Sequence, residues 1–135
     1  MSNKLAHLQM IQAVISQMAG NSFLLKGWSV TLVAALAALS AKDSRLGVMF
    51  LAYLPVIAFW VLDGYFLHQE RRFRALYACV CDLAESSVNF KMTIPEPNDA
   101  RSWPDAMLSR SVLVFHVALA VSILIAVIVV QLSAR

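Results

Sequence analysis

The sequence predicts an all-α membrane protein, with three transmembrane helices, helical cytoplasmic extensions and one short strand. Three observations carry this expectation. Apolar residues make up 60% of the 135-residue chain, against roughly 45–50% in an average soluble protein. Charged residues account for only 14%, and mean hydropathy is +0.70. The apolar residues are also gathered into three runs, each close to the roughly 20 residues that a helix needs to cross a bilayer. This composition excludes a disordered chain, which has too little apolar surface to offset its ordering entropy, and a coiled coil. Four glycines and four prolines are too few for a collagenous segment or a Gly-rich nucleotide-binding domain. Two cysteines cannot build a disulfide scaffold. The net charge of +3 is what positive-inside loops leave on a membrane protein.

Residues 1–20 are expected to form a cytoplasmic amphipathic helix, because Leu5, Leu8, Ile11, Ile15 and Met18 recur at helical spacing. Gly20-Asn21-Ser22 reads as its C-terminal stop, followed by an N-cap for the first span. Residues 22–67 form a transmembrane hairpin. Its first span, Ser22 to Ala41, holds one charge, Lys26. It is read as a span, although Ala35-Leu36-Ala37 has the small residues of a signal-peptide site, because too long a stretch precedes it for an n-region. The link Lys42-Asp43-Ser44-Arg45 is short enough to force an antiparallel return. The second span, Leu46 to Leu67, contains Pro55, which should kink it, and Asp63 near its end.

Residues 68–110 are the cytoplasmic region. Helix should continue to about Ser86, with Phe73, Leu76, Tyr77, Val80, Leu83 and Ala84 on one stripe and Arg71, Arg72, Arg74, Asp82 and Glu85 elsewhere. Val88, Phe90, Met92 and Ile94 alternate with polar residues, which predicts a strand ended by Pro95-Glu96-Pro97-Asn98. A lone strand leaves unpaired edges and so calls for a second copy of the chain. Ser102-Trp103-Pro104-Asp105 has the form of an N-cap, a first-turn proline and an acid. One helix from Trp103 to Leu132 would be about 45 Å long and would stand well into the cytoplasm. Its membrane part, residues 111–133, carries no charge, only His116, Ser122 and Gln131 among larger polar groups.

With the N-terminus inside, Lys4, Lys26, Arg71, Arg72, Arg74, Lys91, Arg101 and Arg110 are cytoplasmic, against Lys42, Arg45 and Arg135 outside. The positive-inside rule therefore places the C-terminus across the membrane from the N-terminus.

No catalytic constellation is present, whether Gly-x-Ser-x-Gly, Gly-x-x-x-x-Gly-Lys or His-Glu-x-x-His, and neither a metal site nor a cofactor is expected. Arg110 and His116 have only the loose spacing of HEPN ribonucleases, inside an apolar run. Cys79 and Cys81 project about 200° apart on a helix and read as packing residues. Lys26 stands 16 residues before Lys42 and Asp63 stands 18 after Arg45, at similar depth. They suit a salt bridge across the hairpin, or alternatively a ring of acids at a pore mouth. His116 suits interhelical hydrogen bonding or a pore-lining, pH-sensing role. Ala118, Ser122 and Ala126, and Ala34/Ala38 with Ala37/Ala41, form small-residue stripes that permit close helix packing. A thin three-helix protomer then predicts a homo-oligomer, with a tetramer favoured. Arg71, Arg72 and Arg74 read either as anchors to anionic headgroups or, with Lys91 and Arg101 around a ring of subunits, as a basic cavity for phosphates.

The strings His7-Leu8-Gln9-Met10-Ile11-Gln12, Asn21-Ser22-Phe23-Leu24-Leu25-Lys26-Gly27-Trp28 and Asp63-Gly64-Tyr65-Phe66-Leu67 resemble those of small bacterial membrane proteins of anti-phage defence operons. The layout is similar to channel-forming effectors of the Hailong type, which work beside a nucleotidyltransferase. The resemblance implies an inner-membrane oligomeric channel that depolarises the infected cell. Its ligand would be an oligonucleotide or cyclic nucleotide made by the companion enzyme, with the basic cluster as ligand site by position. The alternative class is a structural or accessory membrane subunit that conducts nothing. Thr31, Ser29, His116, Ser122 and Gln131 are few polar residues for a pore, which fits a gate that closes by dewetting as well as no pore at all.

Overall fold

The computed structural model describes residues 2–43, 46–94 and 102–133. Helix α1 runs from Asn3 to Asp43, α2 from Leu46 to Leu51, α3 from Tyr53 to Asp82, α4 from Trp103 to Met107 and α5 from Arg110 to Ser133, with a 3₁₀ turn at Glu85–Ser87. Three stretches, Asn3–Lys42, Gly47–Asp82 and Arg110–Ser133, are long and apolar enough to cross a membrane. Their outward side chains suit lipid: Phe23, Trp28, Leu54, Val114 and Leu132 are among the most exposed residues. The protein is therefore helical and compatible with membrane insertion through three helices.

The expected stop at Gly20 does not occur, and α1 is one helix of 41 residues. A helical glycine costs about 1 kcal/mol relative to alanine. Packing on both sides of it outweighs that, since Ile11 and Ile15 bury against α3 before Gly20, and Ser22 and Lys26 bond α3 after it. The kink expected at Pro55 appears as a turn at Ala52, whose N–H bonds Met49 O at 3.1 Å. Pro55 then occupies the first turn of α3, where its missing N–H leaves no helical bond unmade.

Helix α3 ends at Asp82, short of Ser86, and the start of α1 terminates it. Lys4 Nζ donates to the carbonyls of Cys81 and Leu83 at 2.6 and 2.8 Å. A cation thus satisfies end carbonyls at the negative pole of the helix dipole.

The strand expected over Val88–Ile94 is absent, and no strand occurs among the described residues. The alternation instead records one extended segment lying on two helices, with Met92 and Ile94 packed against Ile11, Ile15, Leu76 and Val80. Phe90 adopts a left-handed backbone (φ 56°) that interrupts strand geometry. The Lys91 carbonyl is bonded by His7 Nε2 at 3.2 Å and not by another strand.

The expected single helix from Trp103 is broken at Leu108–Ser109. Pro104 sits in the first turn of α4 as expected, but Ser102 Oγ donates to Asp105 Oδ2 at 2.9 Å and caps no backbone N–H. The break lets α4 fold onto α3. Gly64 presents bare backbone there, Ala106 is fully buried, and Trp60 Nε1 donates to Met107 O at 2.9 Å. The tall extension beyond the spans is thus built by α1 and α3.

Two apolar cores result. Val33, Met49, Ala52, Val56, Ile123 and Val127 join the three spans, while Ile11, Ile15, Leu76 and Val80 join the extension. A polar knot lies between them.

Candidate functional site

The knot draws one residue group from each spanning helix. Lys26 and Ser22 stand one turn apart on α1, Asp63 comes from α3 and His116 from α5. Asp63 is fully buried and its carboxylate is the hub: Lys26 Nζ donates to Oδ2 at 2.5 Å and Ser22 Oγ donates to Oδ1. Lys26 Nζ also donates to Ser22 Oγ at 2.9 Å and lies 5.8 Å from the Phe115 ring centroid. A carboxylate out of water is costly unless paired and hydrogen-bonded, and here both oxygens are engaged.

His116 closes the third side. Its Nδ1 lies 3.9 Å from Asp63 Oδ2 and 2.9 Å from Val112 O. A carbonyl only accepts, so Nδ1 carries the proton in the bond to Val112, one turn back on α5. Nε2 is buried without a partner, and so is Ser29 Oγ on α1. Trp60 stacks on the imidazole, with centroids 6.4 Å apart and planes 21° apart.

Of the expected polar span residues, Lys26, Asp63 and His116 therefore converge within one protomer. Ser122 is exposed on α5 with its hydroxyl donating to Ala118 O at 2.9 Å, and Thr31 likewise bonds Gly27 O at 3.0 Å. Both hydroxyls are satisfied by their own helices and tolerate an apolar surrounding. Gln131 is exposed near the end of α5.

The arginines lie on α3 beyond the knot but fan around the helix. At about 100° per residue, Arg72 is a quarter-turn from Arg71, and Arg74 lies on Arg71's other side. Arg74 is committed to Glu70, with Nε and Nη2 donating to Oε1 at 2.9 and 2.7 Å. Arg71 is half-buried and makes no ion pair among the described residues, and its Nη1 has no hydrogen-bond partner. Arg72 is half-buried and engaged. Lys91 is exposed on the extended segment, and its carbonyl is bonded by His7. Arg101 lies outside the described residues. Cys79 and Cys81 are free and exposed, not packed.

Sequence reasoning passed over Ser22 as a partner of Asp63, Trp60 as the stacking ring, and Gly64. The signals were present: Ser22 precedes Lys26 by one helical turn, and Trp60 and Gly64 frame Asp63 on neighbouring helix positions. Comparison of the chain with protein-family models, curated proteins and solved structures finds no match.

Proposed function

We propose that this chain is the subunit of a homo-oligomeric membrane channel, gated by an anionic, nucleotide-derived ligand and acting by depolarisation in anti-phage defence. The observation that carries the reading is the continuity of α3, which is one helix from Tyr53 through Asp63 to the arginines and on to Asp82. A ligand held near Arg71 pulls on the element that carries the knot, with no linker to absorb the motion. Whatever such a ligand contributes to gating equals its difference in affinity between closed and open states. The sequence resemblance to defence effectors supports the ligand class, and the exposed small residues Ala118 and Ser122 on α5 support assembly through close helix contacts.

A second reading, a non-conducting structural or accessory subunit, is favoured by the inward turn of Lys26, Asp63 and His116, which gives the protomer's outer surface little polar lining for a lumen. Flux from liposomes separates the two. The channel reading expects potassium release that changes when a single-stranded oligonucleotide is added, and the accessory reading expects none under either condition.

A further inference from the structure

Building on the ligand-gated reading, we propose that the seam between α3 and the α4–α5 junction is a phosphate seat in which His68, Arg71 and Ser109 hold one phosphate group. Trp60, Gly64, His68 and Arg71 recur at positions i, i+4, i+8 and i+11 and share one stripe of α3. Contacts fix what the first half of that stripe meets: Trp60 bonds the Met107 carbonyl, and a Cβ on Gly64 would fall 2.2 Å from Met107 Cγ.

Ser109 stands in the break between α4 and α5, two residues beyond Met107. Met107 meets Gly64, and His68 and Arg71 lie about one and two turns beyond Gly64 on the same stripe. Nδ1 of His68, Nη1 of Arg71 and Oγ of Ser109 are all buried without a hydrogen-bond partner.

Buried polar groups in folded proteins are paired, so three orphans on one seam call for one shared acceptor. Phosphate supplies several oxygens and matches the guanidinium fork. Glu70, between them in sequence, is held by Arg74 through Oε1 at 2.7 Å, which commits Arg74 to a partner of its own. Tyr65 and Trp103, edge to face at 6.1 Å, are amphipathic rings of the kind that mark a membrane interface. A lipid headgroup and a soluble nucleotide both carry phosphate to that depth.

The test uses full-length protein in nanodiscs. One arm measures binding of a fluorescein-labelled single-stranded oligonucleotide in phosphatidylcholine. The other measures retention of phosphatidylglycerol by native mass spectrometry. The seat predicts that Arg71→Gln weakens at least one probe tenfold or more, that Ser109→Ala weakens the same probe by a smaller factor, and that Arg74→Gln changes it less than twofold. Dependence in the first arm assigns a soluble phosphate and dependence in the second a lipid phosphate, and either supports the seat. Equal losses in Arg71→Gln and Arg74→Gln indicate diffuse surface charge and overturn it, as does a folded Arg71→Gln protein that binds both probes like wild type. Should Arg71→Gln fail to insert, Arg71→Lys keeps the charge and removes the fork, and the same tenfold criterion applies. Arg71-dependent binding by a protein that carries no current keeps the seat and removes the channel. An oligonucleotide-responsive current with unaltered Arg71→Gln binding keeps the channel and removes the seat.

Discussion

Asp63 accepts from two donors on α1, Lys26 and Ser22, with His116 3.9 Å away on α5, and that arrangement makes Lys26 the residue on which it most depends. Removing one partner of a buried ion pair costs about 3–5 kcal/mol, because the other charge is left unpaired, whereas replacing both by apolar groups is often close to neutral. Lys26→Met should therefore destabilise the protein by about 3–5 kcal/mol, and Lys26→Met with Asp63→Leu should recover most of that loss. Denaturation in mild detergent checks both, and a double variant as unstable as the sum of the singles would show that the two charges act independently. The pairing was legible because both charges interrupt apolar runs at equal distance from the hairpin turn. The inward aim of His116 was not legible. It depends on which face of α5 meets α3, and a run as uniformly apolar as Ser111–Ser133 has no amphipathic pattern to disclose that.

At the scale of elements, the spans and their order could be read from the sequence, but their ends could not. Gly20 and Pro55 are local signals, and packing decided their outcome: α1 runs through Gly20, while the break before Pro55 falls at Ala52. Alternation over Val88–Ile94 was misread because a single extended segment on helices shows the same period as a paired strand. Gly64 is where α4 comes up against α3. A Cβ there would lie 2.2 Å from Met107 Cγ and 3.1 Å from Met107 Cα. The side chain can move aside more easily than the backbone, so Gly64→Ala should shift α4 and cost about 1–3 kcal/mol. Met107→Ala in the same chain should restore part of it, as measured by thermal unfolding. A Gly64→Ala protein as stable as wild type would mean that α4 is not held on α3. Lys4→Met should fray the end of α3, raising amide exchange over Val80–Leu83 and costing about 1 kcal/mol or less. Unchanged exchange there would remove Lys4 as the cap.

The whole molecule is a thin bundle with two apolar cores joined by one polar knot, and many of its large apolar side chains face outward. In the proposed oligomer that belt would serve lipid and neighbouring subunits alike, with the exposed Ala118 and Ser122 placed where subunits would meet. Ala118→Leu or Ser122→Leu should reduce oligomer mass in mild detergent by blocking close approach, and unchanged mass in both variants would acquit that face of α5. Function was the least legible level, because the proposed conduction would arise from an assembly, and the helices of one chain carry no pattern that discloses a lumen shared between copies. The central claim is that this assembly is a channel worked through α3. Single-channel recording of the purified oligomer in a planar bilayer, before and after adding a single-stranded oligonucleotide to both chambers, tests it most directly. The account predicts discrete current steps whose open probability shifts on addition, with the shift lost in Arg71→Gln. An inserted, intact oligomer that stays silent under both conditions would contradict it.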